Sequence, residues 1–425
     1  MNEARRKDKI AIIGAGSVYT PELVELFFKD NCRLVSFDRL TLMDIDPRRL
    51  KILGGLTRRM ALRQGVQAEI VETTSLEAAV KGASFVIIQM RVGGNQARLI
   101  DETIPLKYGV LGQETTGPGG MFKALRTIPE LVKVAKAVKK HAPDAWILNF
   151  TNPSGLVTEA ILKAVPEAKV LGICSIQTGR EGYVTGILDA PKERVRVRSA
   201  GLNHLAWIYR IFVDGRDATD EFFSKLSPKH NHRAEFLKTL RLIPLGYPDH
   251  YYFPDEDVKW ARKRGPRARR VLQIEKILMK RFADPSLAEK PKELELRGGS
   301  GYSLTMTTFI RALQGVEPVV LPVNVQNRGA VSGFAPDQVL EIETRIDPTG
   351  LTPLRVPDGE LCEHMLGLMH SVKAYETLTA EAALTGCYRT ALNAMIAHPL
   401  VPSYSIARKM LDEMLKAHKK HLPQF

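Results

Sequence analysis

Six short apolar runs, separated by segments of helical period, fill the first 175 residues and constrain the fold more than any other feature. They are "KIAII" from Lys9, "LTLMDID" (Leu40 to Asp46), "AEIVETT", "SFVIIQM" (Ser84 to Met90), "AWILNFTNP" and "AKVLGICS". Between them lie amphipathic stretches such as 47–64 and "SGLVTEAILKAV". Strands alternating with helices of this length form a parallel sheet covered on both faces. Near residue 195 the pattern changes. "RVRVRSAGLNHLAWIYRIFVDGRD" alternates with period two and ends in a turn sequence, which predicts antiparallel hairpin strands. Helix is expected at 220–240 and 271–282, strand at "EPVVLPVNVQNRGAV", and helix again from Gly359 to Lys420.

The first strand runs into "IIGAGS", where Gly14 and Gly16 allow a tight turn and let a pyrophosphate approach the N-terminus of the next helix; Ser17 belongs to the same turn. Tyr19 occupies the third glycine position of the usual dinucleotide fingerprint. The second strand ends in Asp44, placed to accept from ribose hydroxyls and to repel an extra phosphate, so NAD is expected over NADP. The competing reading is a packing glycine pair and a helix N-cap aspartate. The expected architecture is α/β: a Rossmann-type doubly wound sheet over 1–195, then a mixed α+β domain over 196–425, with the site between them.

Net charge +14 concentrates in "KWARKRGPRARR" (Lys259 to Arg270). That run has one aromatic residue and no nucleic-acid module around it, so a solvated basic face, or a field that draws in anionic small substrates, is expected instead of nucleic-acid binding. No apolar run is long enough to cross a bilayer and the N-terminus lacks a secretory pattern, which points to the cytoplasm without membrane partners. The four cysteines are far apart and form no CxxC pair.

Several polar residues fall at the carboxyl ends of predicted parallel strands, where ligands of such sheets bind. Asn149 and Asn152 lie in "NFTNPSG", and Cys174 ends "GICS". His204, in the first strand of the second half, forms no metal motif with Cys174 by spacing: a buried thiol and a satisfied histidine compete with a ligand pair that substrate oxygens complete around a divalent metal. Gln89 to Pro129 packs seven glycines into what reads as a long irregular connection, and its "TTGPGG" sets amides at a helix start suited to a phosphate.

Taken together, "IIGAGSVYTPELVE", "QMRVGGNQARLIDETIPLKYGVLGQETTGPGG", "NFTNPSGLVTEA", "GLNHL", "LAEKPKELELRGGSGYS" and "VNVQNRGA" resemble the NAD- and metal-dependent glycosidases of glycoside hydrolase family four, nearest their 6-phospho-β-glucosidase branch. The resemblance implies a fold like lactate and malate dehydrogenases, NAD as a catalytic group and a divalent metal, Mn²⁺, on Cys174 and His204. It implies hydride transfer from C3 of the sugar, loss of the C2 proton, elimination of the aglycone and return of the hydride, a scheme outside the two-carboxylate mechanism of most glycosidases. Tyr247 in "IPLGYPDHYY" matches the family's base, with Tyr251 and Tyr252 nearby. Arg91, Asn95, Asn149, Asn152 and Arg297 are then the expected substrate contacts, with Arg98 kept in the same motif as Arg91. Ser175 and Asp249 depart from the branch's pattern, so an unphosphorylated glycoside or a uronide stands as the alternative substrate. An NAD-dependent sugar or hydroxy-acid dehydrogenase is the alternative outside the family. A homo-oligomer, dimer or tetramer, is the expected assembly.

Overall fold

The computed structural model describes residues 8–29, 32, 34–174, 179–298 and 301–425. Ser175 lies outside them. The six apolar runs become β1 (Lys9–Ile13), β2 (Arg39–Met43), β3 (Glu69–Thr73), β4 (Phe85–Ile88), β5 (Trp146–Asn149) and β6 (Lys169–Gly172), all parallel in the order β3-β2-β1-β4-β5-β6. Ile10, Ala11 and Ile12 of β1 are fully buried, as central strands covered on both faces require.

The second half adds β7 (Val195–Leu202), β8 (Leu205–Val213), β9 (Arg216–Asp217), β10 (Ile243–Pro244), β11 (Val319–Gln326), β12 (Val339–Asp347) and β13 (Gly350–Pro353). These continue the same sheet through an antiparallel contact in which Asn324 of β11 faces Gly172 of β6, giving 13 strands in one sheet among the described residues. No helix among the described residues is long and apolar enough to cross a membrane.

Two expectations need correction. The Gln89 to Pro129 tract is mostly helix, Gly94–Lys107 followed by the start of Gly117–His141. Its glycines serve close packing: a Cβ on Gly119 would stand 2.0 Å from the Gln113 carbonyl oxygen and 3.0 Å from that of Asp101. The helix expected over 220–240 is broken into Thr219–Lys225 and Ala234–Leu240. Pro228 and a turn in which Asn231 Oδ1 accepts from the Arg233 amide at 2.8 Å interrupt it.

Helix Gly117–His141 is the central buried rod of the fold, packed against Gly94–Lys107, Ser154–Ala164 and Glu363–Thr385. Charges buried along it are matched. Arg126 and Asp101 pair at 2.5 Å, and His418 Nε2 lies 3.0 Å from the same carboxylate. Behind it, Lys373 Nζ sits 3.0 Å from Glu159 and 2.5 Å from Glu376, while Glu159 also accepts from the Val339 amide at 3.0 Å and pairs with Lys163 at 2.9 Å.

Candidate active site

In the strand order, the chain winds one way from β1 to β2 and β3 and the other way to β4, which opens a crevice at the carboxyl end of β1. There Gly14 adopts φ +89°, and a Cβ on it would meet the Met90 backbone at 2.9 Å, so glycine is required for the close approach of the two strand ends. The amides of Gly14 and Ala15 both donate to the Met43 carbonyl at 2.9 Å. The Gly16 amide donates to Asp44 Oδ2 at 2.8 Å and the Ser17 amide to the Gly14 carbonyl at 3.1 Å. These amides are occupied within the chain, so at these positions the turn offers a pyrophosphate close approach and not free donors. Asp46, not Asp44, caps helix Pro47–Arg63, accepting from the amides of Arg48 and Arg49. Asp44 is only half-buried, and its carboxylate stands at the end of β2 where a ribose of a dinucleotide would lie.

A cleft of about 1130 Å³ lies between the carboxyl ends of the parallel strands and the second half of the chain. Asn152, Cys174, His204, Tyr247 and Arg297 line it, joined by Tyr19, Arg98, Glu114 and Tyr302. Gly14, Gly16, Ser17 and Asp44 stand apart from its walls, and Tyr19 carries their turn to the cleft.

Among the expected contacts, Asn149, Arg91 and Asn95 are not on the wall. Asn149 is fully buried, and its carboxamide closes the strand end by bonding both the amide (3.0 Å) and the carbonyl (3.2 Å) of Thr151. Asn95 donates to Glu275 at 2.6 Å, and Glu275 in turn pairs with Arg49 at 2.7 Å. Arg91 is held by Glu114 behind the wall. The amides at the start of helix Gly117–His141 are likewise taken, Gly117 by His398 Nε2 at 3.2 Å and Thr116 by Gln113 Oε1 at 2.8 Å, so "TTGPGG" does not present them to a phosphate.

His204 sits in the two-residue turn between β7 and β8, not within a strand, at φ +65°. The turn is pinned by Asn203 Oδ1, which accepts from the Ser154 amide at 2.8 Å. His204 Nδ1 lies 2.7 Å from Thr115 Oγ1, which leaves Nε2 for another partner. Burial pulls the imidazole down to about 3, so the ring is neutral and a donor of electron pairs at neutral pH. Cys174, half-buried after β6, is in no disulfide. Among the described residues no three His, Cys, Asp or Glu side chains converge. The pair nevertheless fits a divalent cation whose remaining ligands come from a substrate.

Tyr247 stacks on His204, ring centroids 4.1 Å apart and planes 15° from parallel. Burial pushes its phenol up to about 12; the charges of Glu114 and Cys174 act in the same direction, and Arg267 and Arg98 oppose them. Tyr251 and Tyr252 do not reach this cleft and instead line a separate one of about 470 Å³. Tyr252 Oη accepts from Trp207 Nε1 at 3.0 Å, and Asp249 pairs with Arg233 at 2.7 Å.

Sequence reasoning missed Glu114 and Lys123. Glu114 faces three cations, Arg91, Arg98 at 3.0 Å and Lys123 at 3.2 Å, which hold its carboxyl well below the usual range. Burial pulls Lys123 down to about 7. The fourth cation, Arg297, is 5% exposed, with its guanidinium carbon 5.0 Å from the centre of the Tyr19 ring. Among the described residues its buried Nε has no partner, and burial together with repulsion from Arg91 and Arg98 lowers its affinity for its own proton. A buried cation left unmatched is costly, and an anionic ligand removes the cost.

Residues 9–190 match the model of the family 4 glycosyl hydrolases, and 199–401 match the model of that family's C-terminal domain. A probable 6-phospho-β-glucosidase of Bacillus subtilis is 42% identical over 98% of both chains. The chain is a family 4 glycosyl hydrolase. A 6-phospho-β-glucosidase of Thermotoga maritima, solved with NAD and glucose 6-phosphate, superposes with a TM-score of 0.89 at 36% identity, over 98% of this chain and 99% of that one. Another crystal of that enzyme, with manganese, NAD⁺ and glucose 6-phosphate, gives a TM-score of 0.88 at 35% identity, over 97% and 99%. Malate dehydrogenase of Plasmodium falciparum shares the fold alone, with a TM-score of 0.51 at 16% identity over 89% of this chain and 98% of that one. For this family 4 glycosyl hydrolase the fold is thus a Rossmann-type sheet extended by an α/β half, as the resemblance implies, and its activity is cleavage of a glycosidic bond.

Proposed function

We propose that this enzyme hydrolyses 6-phospho-β-glycosides with NAD and a divalent cation, Mn²⁺, by oxidation at C3, proton loss at C2, elimination, hydration and return of the hydride to C3. The observation that carries the phosphate is Arg297: a buried guanidinium whose Nε has no partner among the described residues, beside Arg98, on the wall that also holds Cys174, His204 and Tyr247. The sugar phosphates bound in the Thermotoga maritima structures support the same reading. An unphosphorylated glycoside would leave that cation unmatched.

When bound, NAD⁺ supplies a reversible hydride acceptor and the cation a Lewis acid for the sugar oxygens. Gly14, Gly16, Ser17 and Asp44 are the residues for the first, Cys174 and His204 Nε2 for the second. Tyr247 Oη, as the phenolate, takes the C2 proton and the leaving group departs from C1; water then adds at C1, a proton returns to C2 and the hydride returns to C3. A phenol near 12 is almost wholly protonated at neutral pH, so forming the phenolate depends on nearby positive charge, and Arg267 and Arg98 already act in that direction. Arg98 and Arg297 hold the phosphate, and Asn152, whose buried Oδ1 has no partner among the described residues, binds a sugar hydroxyl. A phosphorylated sugar does not cross a bilayer unaided, so we place the enzyme in the cytoplasm.

Paired nitrophenyl glycosides with and without the 6-phosphate, assayed with NAD⁺, Mn²⁺ and a thiol reductant, test this reading. Release of nitrophenol from the phosphorylated β-glycoside without net NADH is expected. Faster cleavage of the unphosphorylated glycoside contradicts the phosphate assignment, and NADH accumulating in proportion to substrate identifies a dehydrogenase.

A further inference from the structure

The basic run Lys259 to Arg270 is not a uniformly solvated face. Helix Pro254–Arg264 ends at Gly265, whose φ of +72° suits only glycine, and helix Arg267–Phe282 restarts after Pro266. The bend sets Trp260, Arg264, Arg267 and Arg270 on the wall of the active-site cleft. Trp260 is 51% exposed, and the Arg264 guanidinium carbon lies 4.3 Å from its ring centroid. Asp257, on the same wall, is already engaged by His250 Nδ1 at 2.6 Å. Among the described residues no carboxylate lies within ion-pairing distance of Arg264, Arg267 or Arg270, and Arg267 reaches only the Arg297 carbonyl, at 3.4 Å.

The cleft thus has a buried part and an exposed part. Arg98 and Arg297 are buried, whereas Arg264, against the Trp260 indole, and Arg270 are exposed on the wall. A cleft of about 1130 Å³ exceeds the roughly 300–1,000 Å³ of ordinary small-molecule sites, so it has room for more than a sugar phosphate. The group released to solvent belongs in the exposed part. We infer that Trp260, Arg264 and Arg270 form the leaving-group subsite, and that it selects a planar aryl aglycone carrying a negative charge. An indole face takes an aromatic ring, and guanidinium groups without carboxylate partners take its acidic substituent. This rests on the glycosidase reading above. The same arginines would also suit the pyrophosphate of a dinucleotide, and the experiment separates the two.

Full-length enzyme loaded with NAD⁺, Mn²⁺ and glucose 6-phosphate is titrated calorimetrically with 3-hydroxybenzoate and with its uncharged analogue 3-hydroxybenzamide. The benzoate is expected to bind about fivefold more tightly, in keeping with an exposed charge pair. Arg264→Gln combined with Arg270→Gln removes that preference, Trp260→Leu weakens both phenols, and the Kd for NAD⁺ stays within about twofold in each variant. Equal affinity for the two phenols, or binding of neither, overturns the proposal. A large loss of NAD⁺ affinity in the arginine variant also overturns it, assigning those arginines to the pyrophosphate. Because the titration needs no turnover, a benzoate preference in an enzyme that cleaves no aryl 6-phospho-β-glycoside leaves the subsite standing and removes the activity assigned to it.

Discussion

Two regions of this molecule bury clusters of charge, and they are built oppositely. Around Lys373, each charge has its counterpart: Glu159 and Glu376 flank the ammonium, and Lys163, Thr377 and the Val339 amide complete Glu159. Around Glu114, one carboxylate pairs with Arg91, Arg98 and Lys123, Glu102 adds a second carboxylate to Arg98 alone, and Arg297 stands by with an Nε unmatched among the described residues. The first arrangement is closed and holds helices together. The second is closed only by a ligand, which makes excess buried charge, more than buried charge itself, the mark of the site.

The comparison breaks most visibly at Lys373. Lys373→Met strands two buried carboxylates and is expected to cost about 3–5 kcal/mol of stability, read as a lower denaturant midpoint, with KM of the surviving folded enzyme unchanged. A small loss would mean that the cluster relaxes and is not the clamp described here.

Arg297→Gln is expected to do the reverse. Removing an unmatched buried cation leaves stability unchanged or raised, while kcat/KM for a phosphorylated substrate falls by about 2 kcal/mol, roughly 30-fold, the usual worth of a charge-assisted bond. Equal losses for phosphorylated and unphosphorylated substrates would show that Arg297 does not read the phosphate.

A smaller effect sharpens the first region. Glu159 is held at about 2 against 4.5, with Lys373 and Lys163 overcoming the cost of its burial. A carboxyl with a depressed folded-state value contributes fully above 4.5, and its contribution is lost as pH falls from about 4.5 to 2. Stability measured across that window should therefore fall less steeply in Glu159→Gln than in the parent. Identical slopes would place the acid sensitivity elsewhere.

The parallel strands were legible because each is a short apolar run bounded by turn residues, and Cys174 and Asn152 followed from their position past strand ends. Asn149 was misread for the same reason, since a strand-end amide facing inward looks in sequence like one facing a ligand. The glycines between Gly93 and Gly120 read as loop because their purpose, the close approach of Gly119 to Gln113, is tertiary. Glu114 carried no local signal: its three cations come from Arg91, Arg98 and Lys123, brought together by the packing of two helices. The resemblance put Tyr247 first but left Tyr251 and Tyr252 as alternatives, and the fold turns those two into a different cleft.

The central claim is that the glycosidic bond breaks by elimination, with Tyr247 receiving the C2 proton. Turnover of a 6-phospho-β-glucoside in D₂O, with the product read by NMR, tests it most directly. Deuterium at C2 of the released sugar phosphate is predicted, together with a roughly 10²–10⁴-fold loss of kcat in Tyr247→Phe and little change in KM. Product that keeps its original C2 hydrogen would contradict the account.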